Sequence, residues 1–208
     1  MLFRFDLPPR IALFPLAGAV LMPRARIPLH VFEPRYLQML DDTLKTDHRL
    51  IGLIQPEGEG LATIGCAGRV VAFSETDDGR QMISLRAVSR FRLAQVKDGF
   101  TPYLVGEVDW SSFERDMKGA EEDPAMDREA LFPLLRRYME AHELSTDWDA
   151  AAEAQDEALI NSLSMVLPFS PGDKQALLES PTLADRRELL QGLIEFALHG
   201  GDNEERLQ

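Results

Sequence analysis

The 208 residues suffice for one large domain or two small ones, which at this size bury about 70% of the unfolded surface without disulfide staples. A single cysteine, Cys66, excludes an intrachain bridge and predicts a cytoplasmic chain. The net charge of −13 arises entirely beyond Trp110: 13 Lys+Arg and 13 Asp+Glu precede Ser111, whereas 9 and 22 follow, which predicts two segments of different character, the second repelling phosphate backbones.

In chain order, the apolar run Ile11 to Met22 is broken by Pro15 and Gly18 and falls short of the about 20 residues of a spanning helix, so it is expected as a buried strand and turn, with no membrane anchor. Pro28 to Tyr36, PLHVFEPRY, reads as a strand-to-helix junction. Pro34 suits a first helical turn, and Leu37, Leu40 and Leu44 recur at helical spacing. His30, Glu33, Arg35 and Tyr36 can line a polar pocket there. In the alternative reading Val31 and Phe32 fill core, Glu33 favours the helix N-terminus and Arg35 pairs with a carboxylate.

Leu50 to Ile54 is a run of strand length. From Leu61 to Val96 the pattern is strand, turn, strand, strand: Val71, Phe73 and Glu75 alternate with Ala72 and Ser74, Asp78-Gly79 supplies a tight hairpin turn, and Ile83, Leu85, Phe91 and Leu93 follow, as in half-buried antiparallel strands. Cys66, between Gly65 and Gly68, is expected as a small buried hydrophobe. Arg86, Arg90 and Arg92 are placed on one side of the strand pair, pairing with Asp and Glu of the same sheet face or contacting phosphate or an acidic partner. Trp110 and Trp148 flank a Gly-, Pro- and acid-rich stretch, 111–127, with little to bury, and serve either to pack the halves together or as exposed binding surface.

Beyond it the period becomes 3.6. Leu131, Leu134, Leu135, Tyr138 and His142 share one face, and Leu159, Ile160, Leu163, Val166 and Leu167 another. Ser170 and Thr182 each stand three residues before an aspartate, in the manner of a capping box. The last helix is expected to end at His199, where Gly200 and Gly201 follow. Pro133 must sit in a first turn or kink its helix. Three and a half or four helices result.

Several chemistries lack their residues. There is no Gly-Lys dipeptide for a P-loop, no G-x-G-x-x-G, no G-x-S-x-G and no H-E-x-x-H. One cysteine and the scattered His30, His48, His142 and His199 offer no metal-ligand spacing. Lys45, Lys97, Lys118 and Lys174 are placed on helix surfaces, turns or the linker, where a solvated ammonium is a poor base. The carboxylate pairs Asp41-Asp42, Asp77-Asp78 and Glu121-Glu122-Asp123 read as solvated.

LFPL at Leu13 to Leu16, PLHVFEPRY, IGL at Ile51 to Leu53, IGCAGR at Ile64 to Arg69, DGR at Asp78 to Arg80, RF at Arg90-Phe91 and LPFSPGDKQALLE at Leu167 to Glu179 together resemble the amino-terminal substrate-binding domain of Lon proteases, in a free-standing bacterial form. The resemblance implies an α+β fold: a PUA-like antiparallel β pseudo-barrel with one inserted helix over 1–110, an acidic linker over 111–127 and an α-helical bundle over 128–208. It also implies a non-catalytic module that holds polypeptide substrates or a partner protein, without cofactor or metal, through the apolar surface of the sheet half or a crevice between halves. Candidate binding residues are His30, Phe32, Glu33, Arg35, Tyr36 and Trp110. The rival readings are an RNA-binding PUA-like protein, disfavoured by the acidic charge, and a small-molecule sensor at the 28–36 junction.

Overall fold

The computed structural model describes residues 7–76, 80–97 and 99–204, with 200–204 described by backbone alone. Strands β1 (Arg10–Pro15), β2 (Arg26–Val31), β3 (Leu50–Ile54), β4 (Pro56–Glu57), β5 (Gly60–Leu61), β6 (Ile64–Glu75), β7 (Gln81–Lys97) and β8 (Val105–Asp109) surround helix α1 (Pro34–Leu44) in sequence. A 3-10 helix, Ser111–Met117, leads to α2 (Arg128–Ala141), α3 (Trp148–Glu153), α4 (Asp156–Val166), α5 (Pro171–Glu179) and α6 (Leu183–Glu204). The chain forms two compact units: residues up to Gly119 with Pro168–Leu178, and Ala120–Leu167 with the residues from Glu179 on. The expected division was 1–110, 111–127 and 128–208; in the structure the 3-10 helix and most of α5 belong with the strands.

In the first unit the strand order is β2-β7-β6-β3-β1-β8, and β8 also pairs with β7, so five strands close on themselves while β2 remains an edge. The expectation of a purely antiparallel barrel needs correction, because β1 and β3 run parallel. A parallel pair requires a long crossover, and the inserted β2 and α1 supply it. Closure rests on the length of β7. Its first residues pair with β2 and its last with β8, while β6 lies along most of its other edge. What the sequence suggested as two strands is one strand with irregular register near Ala67/Gly68 and Val70/Ala72 of its partner, where bulges re-aim side chains. The Asp78-Gly79 turn lies outside the described residues.

Ile11, Leu13, Leu50, Ile54, Ala67, Phe91 and Val108 fill the closed sheet. The filling is tight enough that Gly65 has no room for a side chain: an added Cβ would stand 2.5 Å from Phe91 Cζ and 2.7 Å from the Leu53 carbonyl oxygen. Cys66 is buried as a free thiol. The buried face of α1 is Tyr36, Met39, Leu40 and Thr43, shifted from the leucine face expected, because Tyr36 stacks on Phe14 at 4.4 Å between centroids.

The stretch expected to have little to bury instead carries the strongest polar anchor of the unit. Phe113 and Asp116 are buried, and Asp116 Oδ2 and Oδ1 accept from Arg90 Nε and Nη2, each at 2.9 Å, while Oδ2 also accepts the Arg90 backbone N–H at 2.9 Å. Arg90 Nη1 donates to the Leu178 carbonyl at 3.0 Å, and the guanidinium carbon lies 4.8 Å from the centre of the Phe113 ring. The expected pairing of Arg90 along the sheet face is therefore corrected: its partner comes from the 3-10 helix, and Arg86 and Arg92 remain exposed. Gln55 is a second such hub, accepting the Gly18 N–H and donating to the Pro171 carbonyl and Gln175 Oε1.

In the second unit Leu131, Leu135, Tyr138 and Met139 of α2, Leu159, Ile160 and Leu163 of α4, and Leu183, Leu190 and Ile194 of α6 are buried. Val166 is 69% exposed, contrary to expectation, because α4 ends there and the backbone turns extended at Leu167. Pro133 lies inside α2 beyond its first turn. Both cap motifs form: Asp173 N–H donates to Ser170 Oγ at 3.1 Å, and Thr182 and Asp185 exchange bonds of 3.1 and 3.2 Å. Helix α6 runs through Gly200 and Gly201 to Glu204, since glycine permits a stop but costs a continuing helix only about 1 kcal/mol per residue. Among the described residues no helix is long and apolar enough to cross a membrane.

Two stability predictions follow from this packing. Gly65→Ala is expected to cost about 1–3 kcal/mol through overpacking, whereas Gly192→Ala, where nothing lies within 4 Å of the new methyl, is expected to be neutral or to stabilise by up to about 1 kcal/mol; urea midpoints of the two variants decide. Asp116→Asn leaves the Arg90 charge buried without its counterion and is expected to cost about 3–5 kcal/mol, while Glu33→Gln, which breaks an exposed pair, leaves the melting temperature unchanged.

Candidate functional site

Strand β2 delivers the 28–36 segment to the free edge of the sheet. Antiparallel pairing sets His30 opposite Met82, and Met82 opposite Ser74 of β6, so these three share one face. His30 is exposed. Phe32, a candidate binding residue that the alternative reading placed in the core, is 59% exposed, with the Arg80 guanidinium 5.9 Å from its ring centre. The reason is positional: β2 ends at Val31, which takes the core position, and Pro34 then starts α1, leaving Phe32 outside both elements.

Glu33 occupies the N-cap position of α1 with extended backbone but makes no side-chain cap. Its carboxylate instead accepts from Arg35 Nε at 3.0 Å and Nη2 at 2.7 Å in an exposed pair. Arg35 also lies 4.7 Å over the Tyr36 ring. Tyr36 is buried against Phe14, and burial raises its phenol pKa. Trp110 stands apart from this group. It meets Phe91 edge-on at 5.9 Å and its indole N–H donates to the Pro8 carbonyl at 3.0 Å, closing the barrel core. Trp148 packs on Phe132 and under Arg136, within the second unit. His30, Phe32, Glu33 and Arg35 thus form an exposed cluster, while Tyr36 and Trp110 are packing residues.

The structure adds exposed apolar residues that sequence reasoning did not name as candidates. Phe73 is 59% and Val71 45% exposed, and Met82 is 40% exposed. The alternation at 71–75 was expected to mark a core face, but the register irregularity between Val70 and Ala72 puts Val70 inside and Val71 out. The available signal was the unbroken apolar run Val70 to Phe73, which supplies both faces of a strand. The end of the β2-β7-β6 sheet therefore carries Phe32, Val71, Phe73 and Met82 to solvent, more bulky apolar side chains than an ordinary loop end presents.

Lys174 departs from expectation too: it is 9% exposed, and burial lowers its pKa. Among the described residues no group of three His, Cys, Asp or Glu is arranged to hold a metal ion. In the second unit an open cleft of about 560 Å³ is lined by Glu121, Glu122, Asp123, Arg128, Asp156 and Glu157 among others. Four of its acids are committed to the fold: Asp156 pairs with Arg128, Asp123 with Arg187, Glu121 accepts the Leu183 N–H and Glu157 accepts the Glu121 N–H.

Comparison with known proteins bears on this arrangement. The family model for the ATP-dependent protease La (LON) substrate-binding domain matches residues 10–195. The chain is 26% identical to a Lon protease of Xanthomonas oryzae pv. oryzae over 98% of its length, and 27% identical to Lon protease 1 of Bdellovibrio bacteriovorus over 89%. It spans 24% of the length of each of these relatives. Among solved structures it resembles a Lon N-terminal domain protein from Xanthomonas campestris, with a TM-score of 0.62, 27% identity and coverage of 88% of this chain and 97% of that one. The N-terminal domain of a Mycobacterium avium complex Lon protease shares the fold at 13% identity, with a TM-score of 0.64 over 89% of this chain and 98% of that one.

Helix α1, which carries the far side of the junction, is tethered by Tyr103, whose hydroxyl donates to Asp42 at 2.9 Å. Burial first, and Asp42 second, push this phenol up to about 12. A folded-state pKa above the unfolded value of about 10 means that the contribution is complete below that pH and is lost as pH rises towards the folded value. Urea midpoints measured from about pH 9 to about pH 11.5 are expected to fall more steeply for the parent than for Tyr103→Phe.

Proposed function

We propose that this chain, which belongs to the ATP-dependent protease La (LON) substrate-binding domain family, is a polypeptide-recognition module whose contact surface is the exposed end of the β2-β7-β6 sheet. The observation that carries this reading is the exposure of four bulky apolar side chains at one sheet end: Phe32 just past β2, Val71 and Phe73 on β6, and Met82 on β7. Phe73, opposite Ile83, and Met82, opposite Ser74, stand on the two faces of that end; exposed apolar side chains so gathered mark interaction sites, and large apolar contacts supply most of the driving force for holding non-native chain. Phe32 and His30 are the direct contacts, Glu33 and Arg35 form the polar rim, and Tyr36 supports them from the core, while Trp110 packs in the barrel core apart from this surface.

Recognition proceeds through side chains in this proposal, not through strand addition. β2 is the free edge, but Pro28 sits in its middle, opposite Ser84. Proline has no N–H, so a strand laid along β2 would find a missing donor there, a common way of protecting an edge. The module itself supplies no reaction; any chemistry on the bound polypeptide belongs to other machinery.

The test is titration of a fluorescently labelled, permanently unfolded protein, such as reduced and carboxymethylated α-lactalbumin, with the full chain. Saturable binding is expected, weakened about tenfold in Phe32→Ser/Phe73→Ser, a loss of about 1.4 kcal/mol. Both residues are exposed, so the variant is expected to melt as the parent does. Absence of saturation, or equal affinity of parent and variant, would remove this surface from the function.

A further inference from the structure

On the same sheet end, four residues along β2 and β7 from the His30–Met82 pair, the register brings three arginines into one cross-strand row. Arg26 of β2 is opposite Arg86 of β7, and Arg86 is opposite Arg69 of β6. Directly opposite residues of antiparallel strands project from the same face with Cβ atoms about 4.5–5.5 Å apart, and like charges so placed repel. Arg26 and Arg86 are exposed, and neither makes a side-chain hydrogen bond or ion pair among the described residues. Arg69 is half-buried.

The composition of the face sharpens the point. The row opened by Pro28 carries no charge, and the row beyond it is His30, Met82 and Ser74. No carboxylate occurs at any of these paired positions, in a chain with 35 Asp+Glu and 22 Lys+Arg. In contrast to Arg26 and Arg86, Arg10 is answered by Glu107, Arg35 by Glu33 and Arg90 by Asp116. The charge of the row is felt locally, since His48 is held below the usual imidazole range by burial and, after that, by Arg69. A row of like charges is a cost to the isolated fold that an anionic ligand would remove.

From this juxtaposition, and resting on the polypeptide-binding reading above, we infer that the Arg26–Arg86–Arg69 row selects polypeptide segments in which carboxylates stand beside apolar side chains. The apolar side chains dock on Met82 and its neighbours, and the carboxylates face the guanidinium groups, whose planar forks donate paired N–H bonds to carboxylate oxygens. The row thus gives direction and preference to a surface that would otherwise hold apolar chain indiscriminately. Charge complementarity of this kind contributes more to selectivity and association rate than to total affinity, and it weakens with salt.

The test uses the full chain and two fluorescein-labelled synthetic peptides of equal length and equal Phe and Leu content, one with glutamate and the other with glutamine at the remaining alternate positions. Anisotropy titration is expected to show the glutamate peptide binding about fivefold or more tightly at low salt. That advantage should shrink as salt rises from about 50 to about 500 mM. It should vanish in Arg26→Gln/Arg86→Gln, which should melt no lower than the parent, and persist in Arg26→Lys/Arg86→Lys. Equal binding of both peptides, an advantage untouched by the glutamine variant, or a lowered melting temperature of that variant would each overturn the inference while leaving polypeptide binding in place. Failure of both peptides and of the unfolded protein to bind would overturn the proposed function and the inference together. An RNA oligomer that binds more tightly than the glutamate peptide and loses its affinity in the glutamine variant would reassign the row to phosphate.

Discussion

The first unit depends on a charge that cannot be left alone. Arg90 stands on the longest strand, 2% exposed, where an uncompensated guanidinium would carry a desolvation penalty of several kcal/mol. Its compensation is assembled from two distant stretches: a carboxylate and an aromatic ring from the 3-10 helix, and a carbonyl from the end of α5. Ser89 adds to the same junction by donating to its neighbour's carbonyl, and Arg24 donates to the Asp116 carbonyl at 2.8 Å. Breaking any one of these leaves buried polar groups behind. The unit therefore includes Ser111–Met117 and Pro168–Leu178 because both supply partners of Arg90, although the sequence separates the latter from the last strand by almost sixty residues.

The same strand links that anchor to the exposed end. Through its C-terminal half β7 closes the barrel against β8, and through its N-terminal half it extends past the closed part to pair with β2 on one side and β6 on the other. Inside the barrel, side chains such as Phe91 and Leu13 are fully buried and closely packed. Beyond it, alternate residues emerge on faces that nothing else in the described chain covers. Rigidity at one end and exposure at the other suit a recognition surface, because a preformed site loses little entropy on binding. Tyr103, through Asp42, holds α1 beside the exposed junction.

In the second unit the balance of charge follows from where the arginines go. Of its few basic residues, Arg186 and Arg187 are buried, bonded to Asn161 and Asp123, and Arg128 is bonded to Asp156 and to the carbonyls of Ala152 and Ala154. Drawing cations inward leaves the carboxylates to dominate the surface of an already acidic segment, which disfavours anionic polymers there. The basic row lies in the first unit, where the overall count of charges is balanced.

Local physics was legible in the residues themselves. Caps at Ser170 and Thr182, the proline start of α1, the apolar strand Leu50 to Ile54 and the helical period beyond residue 128 all depend on neighbours within a few positions, and all form. The ordered motifs likewise pointed to the Lon substrate-binding fold. What lay beyond the sequence were pairings set by register and by distant chain. The closure of β8 on β7, the parallel β1–β3 pair, the Asp116 counterion and the exposure of Val71 beside buried Val70 each hinge on which residue meets which, and an irregular register position breaks the simple alternation of inside and outside along a strand. The arginine row is the extreme case: Arg26, Arg69 and Arg86 are far apart as letters and become one charged feature only when three strands align. Sequence by itself determined the elements and their family because these depend on local pattern; only the tertiary structure decided which residues face solvent together, because that depends on nonlocal pairing.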